Sequence, residues 1–171
     1  TGFVGAYASQ DGWVDERANA MAVLSGLAGP ERYPEIADVL ISTCNCSTYM
    51  EGYVCEALCR MGRRDLACRR LMARYHHLAR NGDSTLWEDF NILGTRNHAW
   101  TGAPLTLFYR HFLGMRSDDF LRTILFRPDF SLFRQYDVTL DLPDGRLSLS
   151  LRPGKAEIRN TSSSRVVVEE A

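Results

Sequence analysis

The sequence lacks an excess of charge of either sign and lacks any long apolar run. Its 171 residues carry 20 basic and 21 acidic side chains, with no basic stripe and no block of like charges. We therefore expect no nucleic-acid partner. The apolar runs fall well short of the ~20 residues that a membrane-spanning helix needs, so we expect no membrane contact either.

The basic and apolar regions of a secretory leader are also missing, and the chain begins with Thr1 rather than Met. We expect it to be a piece of a longer polypeptide whose targeting signal lies outside the sequence. A cytoplasmic and a periplasmic location both stay open.

Cysteine is too scarce, and odd in number, for a complete disulfide framework. The five cysteines have no histidine at zinc-finger spacing, and free cysteine is often buried, so we expect structural thiols and neither metal nor cofactor. The motifs G-x-S-x-G, G-x-G-x-x-G and H-E-x-x-H and the P-loop are also absent. Serine-nucleophile, phosphoryl-transfer and zinc-protease chemistry are therefore excluded as hypotheses.

The first two thirds of the chain have helical periodicity. Apolar residues between Ala20 and Ala28 follow a helical step that Gly29-Pro30 ends, and residues 34–40 form a second, short helix. A third helix is predicted to begin with a capping box of Thr48 and Glu51 and to stop at Gly62.

Two further helices are predicted after Gly62. Asp65 is expected to cap the first of them, and Asn81-Gly82 stops it. Leu105, Phe108, Tyr109 and Phe112 form the apolar face of the second. Short turns between successive helices predict antiparallel helical hairpins.

The last third has the period of two that is typical of strands. Residues 138–142 and 146–151 alternate apolar and polar side chains across a Pro143-Asp144-Gly145 turn, and residues 156–160 and 165–169 add two strands. The fold class is therefore α+β: helical hairpins over residues 1–116, then a small antiparallel β-sandwich module over residues 117–171.

The residues most suggestive of chemistry lie between 82 and 101. Glu88 follows Trp87, and an indole beside a carboxyl group can desolvate that carboxyl and stack on a sugar. Asn97 and His98 are hydrogen-bonding side chains that can hold sugar hydroxyls. The competing interpretation is a helix start capped by Ser84, with Glu88 placed for the helix dipole. Trp100 is predicted to be a core residue rather than a sugar platform.

Several segments together resemble the α-L-rhamnosidase family of glycoside hydrolases. They are "DERANAMAVLSGLAG", "STYMEGYVCEALCRMGRRDLA", "STLWEDFN", "GTRNHAWTGAPLTLFYRHFLGM" and "FLRTILFRPDF", which occur in family order between residue 15 and about residue 150. The resemblance implies a partial (α/α)6 barrel of helical hairpins followed by a C-terminal β-domain. It also implies removal of terminal α-L-rhamnosyl groups with inversion of configuration.

The resemblance assigns roles to individual residues. In "TLWE" it implies that Glu88 is the general base, and in the "NH" pair that His98 binds the sugar, with Asn97 beside it and Trp87 in the same loop. The general acid of the family lies in a motif that would precede Thr1. Five helices make about two and a half of the six hairpins, and "GTRNHAW" differs from the commoner "S-L-N-H-Y-A-F".

Two functional hypotheses follow. In the first, the chain is part of an inverting glycosidase acting on a rhamnosyl glycoside, and the chain alone is inactive because it holds one carboxylate of the pair. In the second, it is a non-catalytic carbohydrate-binding or scaffolding module. Under either hypothesis, helix faces left uncovered predict self-association or association with the rest of the chain.

Overall fold

The computed structural model describes residues 7–10, 12–118 and 121–169, and it has a mixed α+β fold as predicted. Tertiary contacts divide the chain into a helical unit, Thr1–Leu107, and a β unit, Phe108–Ala171. Among the residues described, no helix has both the length and the apolar character needed to cross a membrane.

The helical unit consists of short helices joined by tight turns. Its α-helices are α1 (Glu16–Leu24), α2 (Tyr33–Ser42), α3 (Thr48–Arg60), α4 (Arg64–Arg80) and α5 (Ala103–Leu107), with 3₁₀ turns at Pro30–Arg32 and Ala99–Gly102. Helix α2 confirms the predicted short helix. Helix α1 ends four residues before Ala28, because Gly26 adopts a left-handed φ of 80° that breaks the helix.

The predicted stop at Gly62 is confirmed in detail. Gly62 has a φ of 77° and donates its N–H to the carbonyl of Cys59, while Arg63 donates to the carbonyl of Leu58 over 2.8 Å. These two bonds form a Schellman motif, which satisfies carbonyls that the end of α3 would leave unpaired. Three residues, 61–63, connect α3 to α4, so the two helices form a tight hairpin.

Two predicted helix caps are wrong. Helix α3 begins after Ser47, and Thr48 uses its hydroxyl to donate to the carbonyl of Glu88 instead of capping the helix. The carboxylate of Glu51 is turned into the protein interior, so the capping box does not form. Helix α4 has Arg63 at its N-cap, and Asp65 lies in the first turn, where it pairs with arginine.

A largely buried ion cluster holds the helical unit together. The carboxylate of Glu51 accepts hydrogen bonds from Arg70 Nε at 2.6 Å and Arg70 Nη2 at 2.8 Å, and it also pairs with Arg74. Arg70 lies 2.9 Å from a second carboxylate, that of Glu16 on α1. Glu16 in turn accepts backbone N–H groups from Asn45 and Cys46. The negative charges of two carboxylates therefore balance the positive charges of two guanidinium groups.

Electrostatics keep Glu51 ionised despite its burial. Burial alone would raise the pKa of this carboxyl, but the hydrogen bonds and positive charges of Arg70 and Arg74 outweigh it, and the net effect lowers the pKa. Burial raises the pKa of Cys46 to about 12, and its protonated thiol donates to Glu51 Oε2 over 3.1 Å. Burial likewise raises the pKa of Cys59 to about 12. These thiols act as packing and donor groups.

The β unit begins with a π-helical turn, Phe108–Phe112, and the residues described after it form six strands. The strands are β1 (Met115–Ser117), β2 (Thr123–Phe126), β3 (Tyr136–Leu142), β4 (Gly145–Arg152), β5 (Lys155–Asn160) and β6 (Arg165–Val168). The fifth predicted helix is thus only partly α-helical. Leu105, which the prediction placed on its apolar face, is 78% exposed.

The strands form two three-stranded sheets that share one core. The predicted β3–β4 hairpin is confirmed, and β5 completes its antiparallel sheet. In the other sheet β2 pairs antiparallel with β1 but parallel with β6, so the expectation of purely antiparallel pairing is wrong. Alternate residues of each central strand point inward, and the shared core comprises Leu113, Met115, Ile124, Phe126, Leu147, Leu149 and Leu151.

We predict that Glu51→Gln destabilises the helical unit strongly. The substitution leaves Arg74 without a counter-charge and leaves Arg70 with Glu16 as its one remaining carboxylate. Breaking such a buried pair costs about 3–5 kcal/mol of unfolding free energy. Urea unfolding followed by far-ultraviolet circular dichroism measures the loss. As a control, Asp65→Asn breaks ion pairs of a carboxylate that is 46% exposed, which costs no more than about 1 kcal/mol. Equal losses in the two variants would contradict the role of the cluster.

Candidate functional site

The segment from 83 to 98 is a folded-back loop rather than a helix start. Glu88 donates its N–H to the carbonyl of Thr95 over 2.8 Å, and Asn97 donates to Leu86 over 3.0 Å, so the two arms of the loop pair like a short hairpin. Asn97 adopts a left-handed φ of 66° at the end of this pairing. The interpretation of "STLWEDFN" as a helix capped by Ser84 is therefore wrong.

The carboxylate of Glu88 is held at the open side of this loop. Its Oε2 accepts the backbone N–H of Thr95 at 3.1 Å and the Thr95 hydroxyl at 3.0 Å. The same hydroxyl is hydrogen-bonded to His98 Nε2, which lies 3.5 Å from Glu88 Oε2. Gly94 makes this geometry possible, because a Cβ at that position would come within 2.7 Å of the same oxygen. Glu88, Thr95 and His98 thus form one connected polar group.

This environment favours the ionised form of Glu88. The backbone and side-chain hydrogen bonds from Thr95 lower the pKa of the carboxyl, and the nearby His98 adds a smaller effect in the same direction. The side chain remains 40% exposed, so water reaches it. An ionised and accessible carboxylate can accept a proton from water, which is the task of a general base.

Trp87 is committed to contacts within the loop. Its Nε1 donates to Asp83 Oδ2 over 2.6 Å, and the guanidinium of Arg96 lies 4.5 Å from its ring centre. Arg96 also pairs with Asp83 at 3.1 Å. One face of the indole is therefore covered by Arg96. A sugar contact of Trp87 stays a prediction for the rest of the ring.

The loop is fastened to helices α3 and α4. Thr48 donates its hydroxyl to the carbonyl of Glu88, and the ring of Phe90 contacts Tyr75 edge to face at 5.1 Å. The guanidinium of Arg74, a member of the buried ion cluster, stacks 4.0 Å from the Phe90 ring centre. These contacts hold the chain at the carbonyl of Glu88 and at Phe90, two residues further on.

A row of aromatic side chains, which we call the aromatic row, extends from His98. It consists of Trp100, Tyr49 and Tyr53. The centre of the His98 ring lies 4.2 Å from that of Trp100, and successive rings along the row are 5.8 and 5.7 Å apart. Trp100 is 38% exposed, so its predicted place in the core is wrong.

The sequence analysis missed Thr95, Tyr49 and Tyr53 as site residues. Thr95 has a recognisable signal, a hydroxyl three residues before His98 within the same loop. Tyr49 and Tyr53 lie within the predicted third helix, and helical spacing alone does not distinguish an exposed aromatic from a buried one. Among the residues described, no group of three histidine, cysteine or acidic side chains could hold a metal ion.

No protein-family model matches the sequence, and no curated protein matches it significantly.

We predict that Thr95→Val raises the pKa of Glu88. Valine keeps the shape of threonine and the backbone N–H, but it removes the hydroxyl donor that stabilises the carboxylate. A ¹³C NMR titration of the Glu88 carboxyl carbon in the 171-residue chain measures the change. Thr95→Ser keeps the donor and should leave the titration close to that of the wild type. An unchanged pKa in Thr95→Val would show that the backbone N–H alone sets the ionisation.

Proposed function

We propose that this chain supplies the general base and part of the sugar-binding rim of an inverting glycoside hydrolase that removes terminal α-L-rhamnosyl groups. The observation that carries the proposal is the Glu88 carboxylate, ionised by Thr95 and flanked by His98. The residues involved are those to which the resemblance of "TLWE" and "NH" assigns the base and the sugar-binding histidine.

The reaction requires two carboxyl groups on opposite faces of the sugar. One protonates the departing oxygen, and the other removes a proton from water as that water attacks the anomeric carbon. The general acid needs a raised pKa, whereas the pKa of Glu88 is lowered. Glu88 therefore suits the base. We place the acid in polypeptide that precedes Thr1, about 6.5–9.5 Å from Glu88 to leave room for the water.

The order of helix packing supports the proposed barrel. Helices α1, α3 and α5 contact one another in succession, while α2 packs on α1 and α4 packs on α3. Alternate helices thus form one layer and their partners a second, the arrangement expected of hairpins in an (α/α)6 barrel. Several apolar side chains of the helical unit are also more than 40% exposed, namely Met21, Leu27, Ile41, Met72 and Leu105. Such surface fits helices that pack against further hairpins.

A non-catalytic carbohydrate-binding module is the second candidate. The exposed aromatic row favours it, because aromatic rings can bind a sugar without any carboxylate pair. Both candidates use His98 to bind carbohydrate. They differ in whether the bound carbohydrate is cleaved, with Glu88 as the general base, or only held.

We predict that Glu88→Gln in the full-length protein lowers kcat for an aryl α-L-rhamnoside by about 10²–10⁴-fold, the usual contribution of a general base. An aryl group leaves readily without acid assistance, so this substrate isolates the contribution of the base. Asp89→Asn is the matched control, since Asp89 accepts an N–H within its own turn and its amide can do the same. Near-normal hydrolysis by Glu88→Gln would sink the assignment.

We predict that the 171-residue chain binds L-rhamnose but does not cleave an α-L-rhamnosyl disaccharide, because it lacks the general acid. Calorimetry should show weaker binding of L-rhamnose to His98→Ala than to the wild type. Glu88→Gln should leave binding largely intact. Binding by the full-length protein without any turnover would favour the non-catalytic module. Cleavage by the isolated chain would contradict the missing acid.

A further inference from the structure

We propose that the aromatic row is a second sugar subsite, which binds the next ring of the glycoside beside the terminal sugar held at Glu88 and His98. This inference rests on the proposed function and extends it from a single sugar to the substrate class of oligosaccharide glycosides. The exposed rings of Tyr49, Tyr53 and Trp100 supply the contact surface.

The fold brings these rings together by a close backbone approach. Tyr49 and Tyr53 are four residues apart on α3 and so share one helix face. Gly52 lies on the same side of the helix, and a Cβ there would come within 2.7 Å of the Ala103 Cβ. The absence of a side chain at Gly52 therefore lets the segment carrying Trp100 lie directly on α3, where Trp100 contacts Tyr49.

The row continues the candidate site without a gap. Thr95 joins Glu88 to His98 through hydrogen bonds, His98 lies against Trp100, and Trp100 leads to the two tyrosines. A ligand that fills the space beside Glu88 and His98 therefore meets Trp100 as its next neighbour. A chain of sugar rings has this extended form, whereas a single monosaccharide would leave the tyrosines unused.

The chemistry of the row fits carbohydrate better than a protein helix. The rings are 38–50% exposed, and the row contains no aliphatic side chain of the kind that anchors an amphipathic helix. Aromatic faces carry partial negative charge that attracts the C–H groups of a sugar face. The two tyrosine side chains are 41–50% exposed, so their hydroxyls can meet sugar hydroxyls.

The geometry also indicates a stepped rather than a flat surface. Trp100 meets Tyr49 at 87°, and Tyr49 meets Tyr53 at 61°. Each ring thus presents its face where its neighbour presents an edge. Such a surface suits a non-planar pyranose ring, which offers C–H groups on its face and hydroxyls around its rim.

The test compares two ligands on the 171-residue chain by calorimetry: L-rhamnose and an α-L-rhamnosyl disaccharide. We expect the disaccharide to bind about tenfold more tightly, as one added aromatic contact allows. Tyr49→Ala and Tyr53→Ala should abolish this difference and leave the affinity for L-rhamnose unchanged. Tyr53→Phe keeps the ring and should retain most of the difference.

Trp13→Ala is the control, because Trp13 is an aromatic side chain outside the row that is 60% exposed. Equal affinities for the two ligands in the wild type, or an equal effect of Trp13→Ala, would overturn the subsite. The subsite would also be overturned if the tyrosine variants reduced self-association in sedimentation without changing the affinity for sugar. The aromatic row would then be a contact between protein chains. Binding needs no turnover, so the subsite stands if Glu88→Gln proves active and only the proposed base fails.

Discussion

A cluster of four charged side chains, of which three are buried and Arg74 is partly buried, constrains the whole helical unit. Glu51 is inaccessible to solvent, and Arg70 and Glu16 are each 3% exposed, so none of these groups can recover its hydration if a partner is displaced. An unpaired charge there costs several kcal/mol. Helices α1, α3 and α4 must therefore dock together, with Arg74 also in place on Glu51. Apolar faces alone would tolerate small shifts between these helices, but hydrogen-bonded ion pairs do not.

The same cluster determines where the candidate base lies. Thr48 is one helical turn before Glu51 on α3, and its hydroxyl holds the carbonyl of Glu88. Arg74 uses its guanidinium twice, as an ion pair to Glu51 and as a stacked cation on Phe90, two residues after Glu88. A loop without regular secondary structure is thereby held at Glu88 and at the residues that follow it. Contacts with α3 and α4 therefore position Glu88, while its carboxylate stays in contact with water.

Local signals in the sequence predicted local features well. The end of α3 at Gly62 and the β3–β4 hairpin depend on a few adjacent residues, and both are present in the structure. The capping box at Thr48 and Glu51 satisfied the same kind of rule and is absent. Its residues find partners 40 and 19 positions along the chain, which no local pattern reports. For Glu88 the motif indicated a role. The donors of Thr95 that lower the pKa of its carboxyl are evident only from the folded loop.

The surroundings of Glu88 explain how a carboxylate can be kept ionised without being buried. Burial strengthens electrostatic effects, but it also raises a carboxyl pKa, as desolvation would at Glu51 without its arginines. Glu88 instead gains its lowered pKa from two donors of a single residue, Thr95, while its other oxygen stays free of them. A general acid requires the opposite environment, apolar and poor in donors. The two carboxyl groups of an inverting pair therefore need separate structural settings, and this loop has the features of only one of them.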